Sequence, residues 1–556
     1  MRAGFFVSVA KVWHPRGPGV ATIGMAIREA QMKRIGVRHV LATTALALLA
    51  ACGGGGGGGS NLAALATVGI PGATTVTLSG VVTYDSVPNP SGALVYAATT
   101  QKPVRGAVVE ILNSASSVIA TTGTDANGAY SVSLPSSTAV VVRVKAQMSQ
   151  GGTGPTWDVT VRDNTQSNAI YAMESPSFST GTAALTRNVN APSGWTGASY
   201  GATRVAAPFA VLDTIYSTQA KVLSVAPGTA FPSLRVFWSV NNLPASGDPT
   251  QGQIGTTFFG SDSAGRVIYV LGKENVDTDE YDATVVAHEW GHYYQSAFSR
   301  DDSPGGSHAL SDLVDRRVAF SEGWGNAWSG IALGRSNYTD SAGAGQAQGA
   351  NLDLTVGPGS NPGWYREASI HSILWNLNNQ VGFKPIHDTL TGSFKSGLPV
   401  TSIHPFTAAF NAAAPGSSSA LAGLLAGQNI STAPNDPFGV SETNNGTVSQ
   451  ALPMYVNGLS PACVTNKAGS GNKLGSYVYL RFSVATAGSH QISVSGPTSP
   501  ASDPDWVVYN GGQIAASDGF GTSETATVGL PAGESILVIN DFNNSSANTC
   551  FSVTIN

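Results

Sequence analysis

The sequence is poor in charge. Only 11% of its 556 residues are Asp, Glu, Lys or Arg, and the net charge is −5. No Lys/Arg-rich run occurs in the body of the chain, so the basic stripe that a nucleic-acid backbone requires is missing and no nucleic-acid partner is expected. Cysteine is scarcer still. The three residues Cys52, Cys463 and Cys550 allow at most one intramolecular disulfide. Glutamate is also thin: between His292 and residue 400 only Glu322 and Glu367 occur. Glycine (66) and proline (30) are plentiful, and long stretches are rich in Ser, Thr, Val and Asn. That balance argues against a helical cytoplasmic enzyme and for β-rich modules outside the cytoplasm. The length exceeds what one hydrophobic core supports, so roughly two to four domains are expected.

Residues 1–51 read as a signal region, with the true start expected at Met32. Lys33, Arg34 and Arg38 form a basic segment, and 41–51 is an apolar stretch too short to span a bilayer. The following Leu49-Ala50-Ala51-Cys52 resembles a bacterial lipobox. The resemblance implies cleavage before Cys52 and lipidation of its thiol; the other reading is a plain secretory signal with an incidental cysteine. Glycines 53–59 would give a flexible tether within 52–74. With Cys52 lipidated, Cys463 and Cys550 remain as an even pair, either one disulfide in an oxidising compartment or two buried thiols. The expected location is the bacterial cell envelope, lipid-anchored at the outer membrane or cell surface, or released from it, with the lipid as the sole membrane contact.

Between 75 and 180 the pattern is short alternating strands: "TVTLSGVVTY", "GAVVEILN", "GAYSVSLP" and "AVVVRVKA". Asn127-Gly128 is a hairpin turn signal. The layout "VRGAVVEI…TTGTDANGAYSVSLP" resembles the carboxypeptidase regulatory-like, transthyretin-like β-sandwich. A polar, Gly-rich linker follows near 189–202, and the periodicity changes within the next domain, 190–457. "AAPFAVLDTIYSTQAKVL" is helical in spacing, "LRVFWSV" and "RVIYVLG" read as strands, and helices are expected from near Asp279, over "VAFSEGWGNAWSGIALG" and over "REASIHSILWNLNN". The tail, 458–556, is strand-rich again. It resembles the bacterial pre-peptidase C-terminal-like β-sandwich that trails secreted peptidases, with Cys463 and Cys550 near its two ends.

The chemistry lies in "VVAHEWGHYYQ". On a helix, His288 and His292 stand one turn apart on one face. Glu289 is rotated from them by about 100°, so it can reach a water on a shared ion without being a ligand itself. Zinc held by two histidines needs a third protein ligand and, for catalysis, one open position. The metzincin continuation would place Gly at 295 and His at 298; the chain has Gln295 and Phe298, which excludes it. Of the two downstream glutamates, Glu322 in "AFSEGWGNAW" is the better third ligand. His308, in the insertion "DDSPGGSHALSDLVDRR", could compete but has no helix to hold it. Asp301, Asp302, Asp312 and Asp315 offer a possible calcium site, but their spacing fits no EF-hand loop and they read as a solvated acidic loop.

HExxH followed by Glu322-Gly323-Trp324 resembles the gluzincins, thermolysin-type zinc metallopeptidases, and the fungalysin group in particular. The likeness covers about 206–377. It implies a multidomain α+β fold in which a zincin-type catalytic domain is flanked by two β-sandwiches. It also implies one Zn2+ per chain on His288, His292 and Glu322, with Glu289 as general base and a protein or peptide substrate. Asn326 stands where the pattern usually has an Asp orienting a zinc-bound histidine; an Asn accepts the same hydrogen bond without the charge. The oxyanion donor would be His371 or, after it, Tyr365. The "RVIYVLG" strand resembles the edge on which such enzymes lay an extended substrate. The competing reading is an adhesion or binding lipoprotein with a vestigial or structural metal site.

Overall fold

The computed structural model describes residues 74–466, 472–543 and 547–556. Met32, Cys52 and the glycine tether lie outside the described residues. Within them the protein is a multidomain α+β molecule with several β-sheets, and none of its helices is long and apolar enough to cross a membrane.

Strand β1 (Thr75–Ser86) alternates buried and outward-facing residues along most of its length, as a half-buried strand must. It is followed by β2 (Ala107–Asn113), β3 (Val118–Gly123), β4 (Ala129–Pro135), β5 (Ala139–Gln150) and β6 (Trp157–Asp163). β4 pairs with β1, while β3 pairs with β2 and β2 with β5. The Asn127-Gly128 turn forms, with Gly128 at φ 76° and Asp125 Oδ1 accepting from the Asn127 and Ala129 amides at 2.8 Å. It is not a hairpin, however. It carries the chain from one sheet to another, because β4 pairs with β1 and β3 with β2.

Helix α1 (Ala207–Leu223) leads to β7 (Leu234–Trp238), β8 (Phe258–Asp262) and β9 (Gly265–Val270). These strands continue the sheet of the preceding segment. The order is β8-β9-β7-β6-β5-β2-β3, ten strands with three short ones added at the side. β7 lies parallel between β6 and β9, with Val236 opposite both Val161 and Ile268. The segments 75–180 and 190–457 therefore share one sheet, and one core runs through both, from Leu78 and Val142 to Val236 and Trp324. The stretch near 189–202 contributes the short strand Val189–Ala191, parallel to β1.

The short strand β10 (Asp277–Thr278) precedes α2 (Ala283–Phe298) and α3 (Arg316–Leu333). A hairpin, β11 (Asn337–Ala342) and β12 (Gln348–Asp353), joins β10 in a small antiparallel sheet before α4 (Glu367–Val381). Helices α2, α3 and α4 pack in sequence, and α1 packs on α2. Glycines set the spacing. A Cβ on Gly291 would stand 3.1 Å from Gly325 Cα and 3.2 Å from the Trp328 ring, and one on Gly323 would stand 2.4 Å from Ile370 Cβ. Gly291, which weakens a helix by about 1 kcal/mol relative to Ala, is thus needed for the α2–α3 approach. Trp290, Trp324 and Trp328 fill the core around it, with Trp290 stacked on Trp328 at 5.4 Å.

The C-terminal strands form a five-stranded and a four-stranded sheet around a separate core that includes Trp506, Leu537 and Ile539. Cys463 and Cys550 stand directly opposite each other in register and form a disulfide. It joins the short strand Ala462–Val464 to the last strand, Thr549–Ile555.

Candidate metal centre

Every residue of α2 from Thr284 to Gln295 is buried. His288 and His292 face the same way, and their Nε2 atoms are 3.1 Å apart. Glu322, from the buried helix α3, brings Oε2 to 3.2 Å from His288 Nε2 and 3.5 Å from His292 Nε2. Ligand atoms around a tetrahedral zinc with bonds of 2.0–2.1 Å stand about 3.3 Å apart, so the three observed separations fit such an ion. The other ring nitrogens explain why these lone pairs converge. His288 Nδ1 lies 2.9 Å from Asn326 Oδ1, and His292 Nδ1 lies 3.2 Å from Ser321 Oγ and 3.3 Å from Gln295 Oε1. Each Nδ1 faces an acceptor, and a proton carried there on a neutral ring leaves the Nε2 lone pair for a cation.

Behind two of the neutral partners, Asn326 and Ser321, stands a carboxylate. Asn326 Nδ2 donates to Glu367 Oε1 at 2.5 Å, and Ser321 Oγ donates to Asp301 Oδ2 at 2.8 Å. The charge absent from Asn326 is thus returned one bond further out, by Glu367. Partners of this kind orient ligand histidines and raise their basicity. Gln295, which excludes the metzincin pattern, is used to hold His292. Asp301 and Asp302 are not a solvated acidic loop: Asp302 is buried and paired with Arg300 at 3.0 Å, and Asp301 serves the centre. Asp315 is buried with Arg317 at 2.8 Å. These residues are turned to separate partners and form no common cation site.

His308, although on no helix, reaches the centre. It is 4% exposed; Nδ1 lies 3.1 Å from Glu367 Oε2 and Nε2 lies 3.5 Å from Glu322 Oε1. Its loop is held by hydrogen bonds from a distant stretch, with the Asn472 side-chain Nδ2 donating to Ser307 O at 3.0 Å and the Leu474 amide to Leu313 O at 2.7 Å. No local pattern announces that anchoring. Without a metal, Glu322 acts on His292 and His308. Burial alone would lower His292, but Glu322 outweighs it and raises the imidazole to about 9. His308 is raised well above its usual range in the same way, and His308 and His292 overcome burial to hold Glu322 well below the ordinary carboxylate value.

Glu289 is not in this ligand set. Its Oε2 accepts from the Phe259 amide of β8 at 2.8 Å. β8, not the "RVIYVLG" strand, is the edge of the ten-stranded sheet: β9 lies between β8 and β7. The Phe259 amide points away from β9, toward the side on which an added strand would lie. Beside the centre runs a cleft of about 560 Å³ lined by Tyr338, Leu352, Val356, Arg366 and His371 among others. His371 lines it, but its Nε2 stands 3.2 Å from Val356 O, and burial lowers its pKa to about 4. It is therefore a neutral imidazole near pH 7. Tyr365 commits its hydroxyl to Asn444 Oδ1 at 2.9 Å. Tyr338 was not legible in the sequence. Its ring meets His288 edge-on at 5.9 Å, it is 1% exposed, and its hydroxyl has no hydrogen-bond partner among the described residues.

No family model and no curated protein matches this sequence. Among solved structures, the chain is similar to the pre-peptidase C-terminal domain of a collagenase from Bacillus anthracis, at 17% identity over 18% of this chain and 92% of that one, with a TM-score of 0.15. A cycloisomaltooligosaccharide glucanotransferase from Paenibacillus sp. is 8% identical over 85% of this chain and 72% of that one, with a TM-score of 0.13. Both scores lie below the level of a shared overall fold.

Proposed function

We propose that the protein is a zinc-dependent endopeptidase of the gluzincin type acting on proteins or peptides outside the cytoplasm. The observation that carries the reading is Glu289. A buried carboxylate lies beside two converging histidines and Glu322, outside their ligand set, and it is tied to an open sheet edge. A purely structural metal site has no use for it. The disulfide suits an oxidising compartment.

His288, His292 and Glu322 would hold the zinc, with His308 next to Glu322. Zinc, when bound, supplies Lewis acidity that makes water a nucleophile near neutral pH. The chain's own residues do the rest. The free edge of β8 takes an extended peptide by backbone hydrogen bonds and presents one carbonyl to the centre. Glu289 accepts the proton of the attacking water and returns it to the leaving amine. Tyr338 supplies an O–H donor for the developing oxyanion. Burial first, then the charges of Asp340 and Glu289, keep its phenol well above its usual range and so protonated. His371, already hydrogen-bonded, shapes the cleft.

Casein hydrolysis by the full-length protein tests this. Glu289→Gln should lower kcat by about 10²–10⁴-fold while the zinc content stays near one per chain. Tyr338→Phe should lower kcat by about 10²-fold with KM little changed. Undiminished proteolysis by Glu289→Gln would overturn the role given to Glu289, whereas zinc uptake without proteolysis by wild type would leave a structural metal site in a binding protein.

A further inference from the structure

Just ahead of α2 the chain gathers four aspartates that the centre does not use: Asp277, Asp279, Asp282 and Asp340. Asp282 has a structural task. It accepts from Asn89 Nδ2 at 2.5 Å and from the Ser341 amide and hydroxyl at 2.9 and 2.7 Å, which fixes the start of the helix. The other three face one another, and one carboxylate oxygen from each lies within 4.8 Å of the other two. The sheet brings them there. β10 pairs with β11 at Asp277 and Ala342; Asp279 lies two residues further along one chain and Asp340 two residues back along the other. Like charges facing across a ladder are destabilising.

No cationic side chain among the described residues offsets them. Among the described residues no Lys, Arg or His pairs with Asp277, Asp279 or Asp340, whereas Glu280, Asp302, Asp315, Glu367 and Glu442 each have an Arg or His within 3.1 Å. Asp279 is the decisive member. It is 3% exposed. Its Oδ2 accepts from the Thr257 hydroxyl, and Thr257 Oγ1 in turn accepts from the Leu271 amide at 2.9 Å, so the side chain is fixed. Its Oδ1 is sealed from solvent and has no hydrogen-bond partner among the described residues; Asp277 Oδ1 is in the same state. A buried, unpaired carboxylate oxygen is costly. Burial first, then the neighbouring carboxylates, push Asp279 and Asp340 well above the usual range. Such a cluster is neutralised either by protons or by a cation, and a donor set made of oxygen alone selects a hard ion.

We propose that Asp277, Asp279 and Asp340 form a second metal site that takes calcium and clamps β10 to β11 at the entry to α2. Asp340 also lines the cleft that holds Tyr338 and His371, so the clamp fixes one of its walls. The site contains no nitrogen donor and stands independently of the zinc reading.

The test uses the full-length chain, stripped of metal by a chelator, desalted and titrated with calcium chloride, with bound metal read by equilibrium dialysis and Tm by calorimetry. Wild type should take up about one calcium per chain and gain at least about 2 °C in Tm at saturation. Asp279→Asn and Asp340→Asn should each bind calcium at least about tenfold more weakly and lose that gain. In calcium-free buffer both should melt no lower than wild type, because each removes repulsion, and this shows that they fold. Zinc uptake by both should match wild type. Absence of calcium uptake by wild type, or equal uptake by the two variants, would overturn the proposal in favour of a cluster neutralised by protons.

Discussion

At the residue scale, the centre is built from neutral intermediaries backed by charge. Asn326 stands between His288 and Glu367, and Ser321 stands between His292 and Asp301. From the sequence, Asn326 is a departure that accepts the histidine's hydrogen bond without a charge. The structure places that charge on Glu367. A carboxylate in place of the Asn326 amide would meet Glu367 Oε1 where the amide now donates at 2.5 Å. Asn326→Asp should therefore lower stability without tightening zinc, whereas Glu367→Gln should weaken zinc by about 10–100-fold. Competition with a chromophoric chelator measures both. The HExxH pair and Glu322 were readable because their types and spacing carry the chemistry. Glu367 and His308 were visible as residues, but their roles depend on folds of the chain that no local pattern encodes.

At the scale of elements, small residues decide whether the ligand helices can meet. A Cβ on Gly325 would lie 2.7–2.9 Å from three atoms of the His288 ring. Those atoms belong to a fully buried side chain, so the ring itself would have to turn. Gly325→Ala should cost about 1–3 kcal/mol by overpacking and lose zinc as well. Urea unfolding and metal content measure the two effects. The helices around the centre lie within a few residues of the spans expected from the sequence. The hairpin β11–β12, which carries Tyr338 and Asp340, was not read. Nor were the short helices Phe383–Thr391, Ile403–Ala413 and Ser418–Gly427; the last is rich in Ala, Ser and Leu and shows little contrast between its faces. The edge strand was misplaced for a related reason: both β8 and β9 read as strand-like, and only hydrogen-bond pairing says which one is outermost.

At the scale of the whole molecule, two junctions matter. The first is the continuous sheet. Cutting the chain at 190 would strip β6 from β7 and open a core that runs through both segments, so a 190–457 fragment should be insoluble on expression while the full-length protein is soluble. Sedimentation of the two lysates checks it. The second junction ties α3 to the C-terminal sandwich. Asp315 caps α3 through the Arg317 amide, pairs with the Arg317 side chain at 2.8 Å and accepts from Tyr479 Oη at 2.5 Å; Arg316 lies over the Tyr479 ring at 4.1 Å. The helix that carries Glu322 is thus anchored at its first turn by the last domain. Burial alone would raise Asp315, but Arg317 and Arg316 outweigh it and hold its carboxyl below the usual value. A lowered folded value means that this stabilisation is complete above the unfolded-state pKa of about 3.9 and is lost as pH falls through the folded value. Asp315→Asn should therefore be less stable than wild type at pH 7, and the gap should close below about pH 4. Urea midpoints across that range give the comparison.

The sequence by itself determined which side chains are available for a metal site. Two imidazoles at i and i+4, a carboxylate between them and a scarce glutamate downstream offer a candidate metal-binding set through residue type and helical period. It also determined the β character of both ends and, through cysteine scarcity, that the tail has at most one bridge, which the structure shows to be formed. Only the tertiary structure decided which carboxylates stand behind the histidines, how a loop without a helix delivers His308, which strand edge meets Glu289, and that the first β segment and the helical segment share a sheet. Those are relations between residues far apart in the chain. They are set by strand pairing, close helix packing and hydrogen bonds to distant loops, and none of these leaves a periodic trace in the sequence.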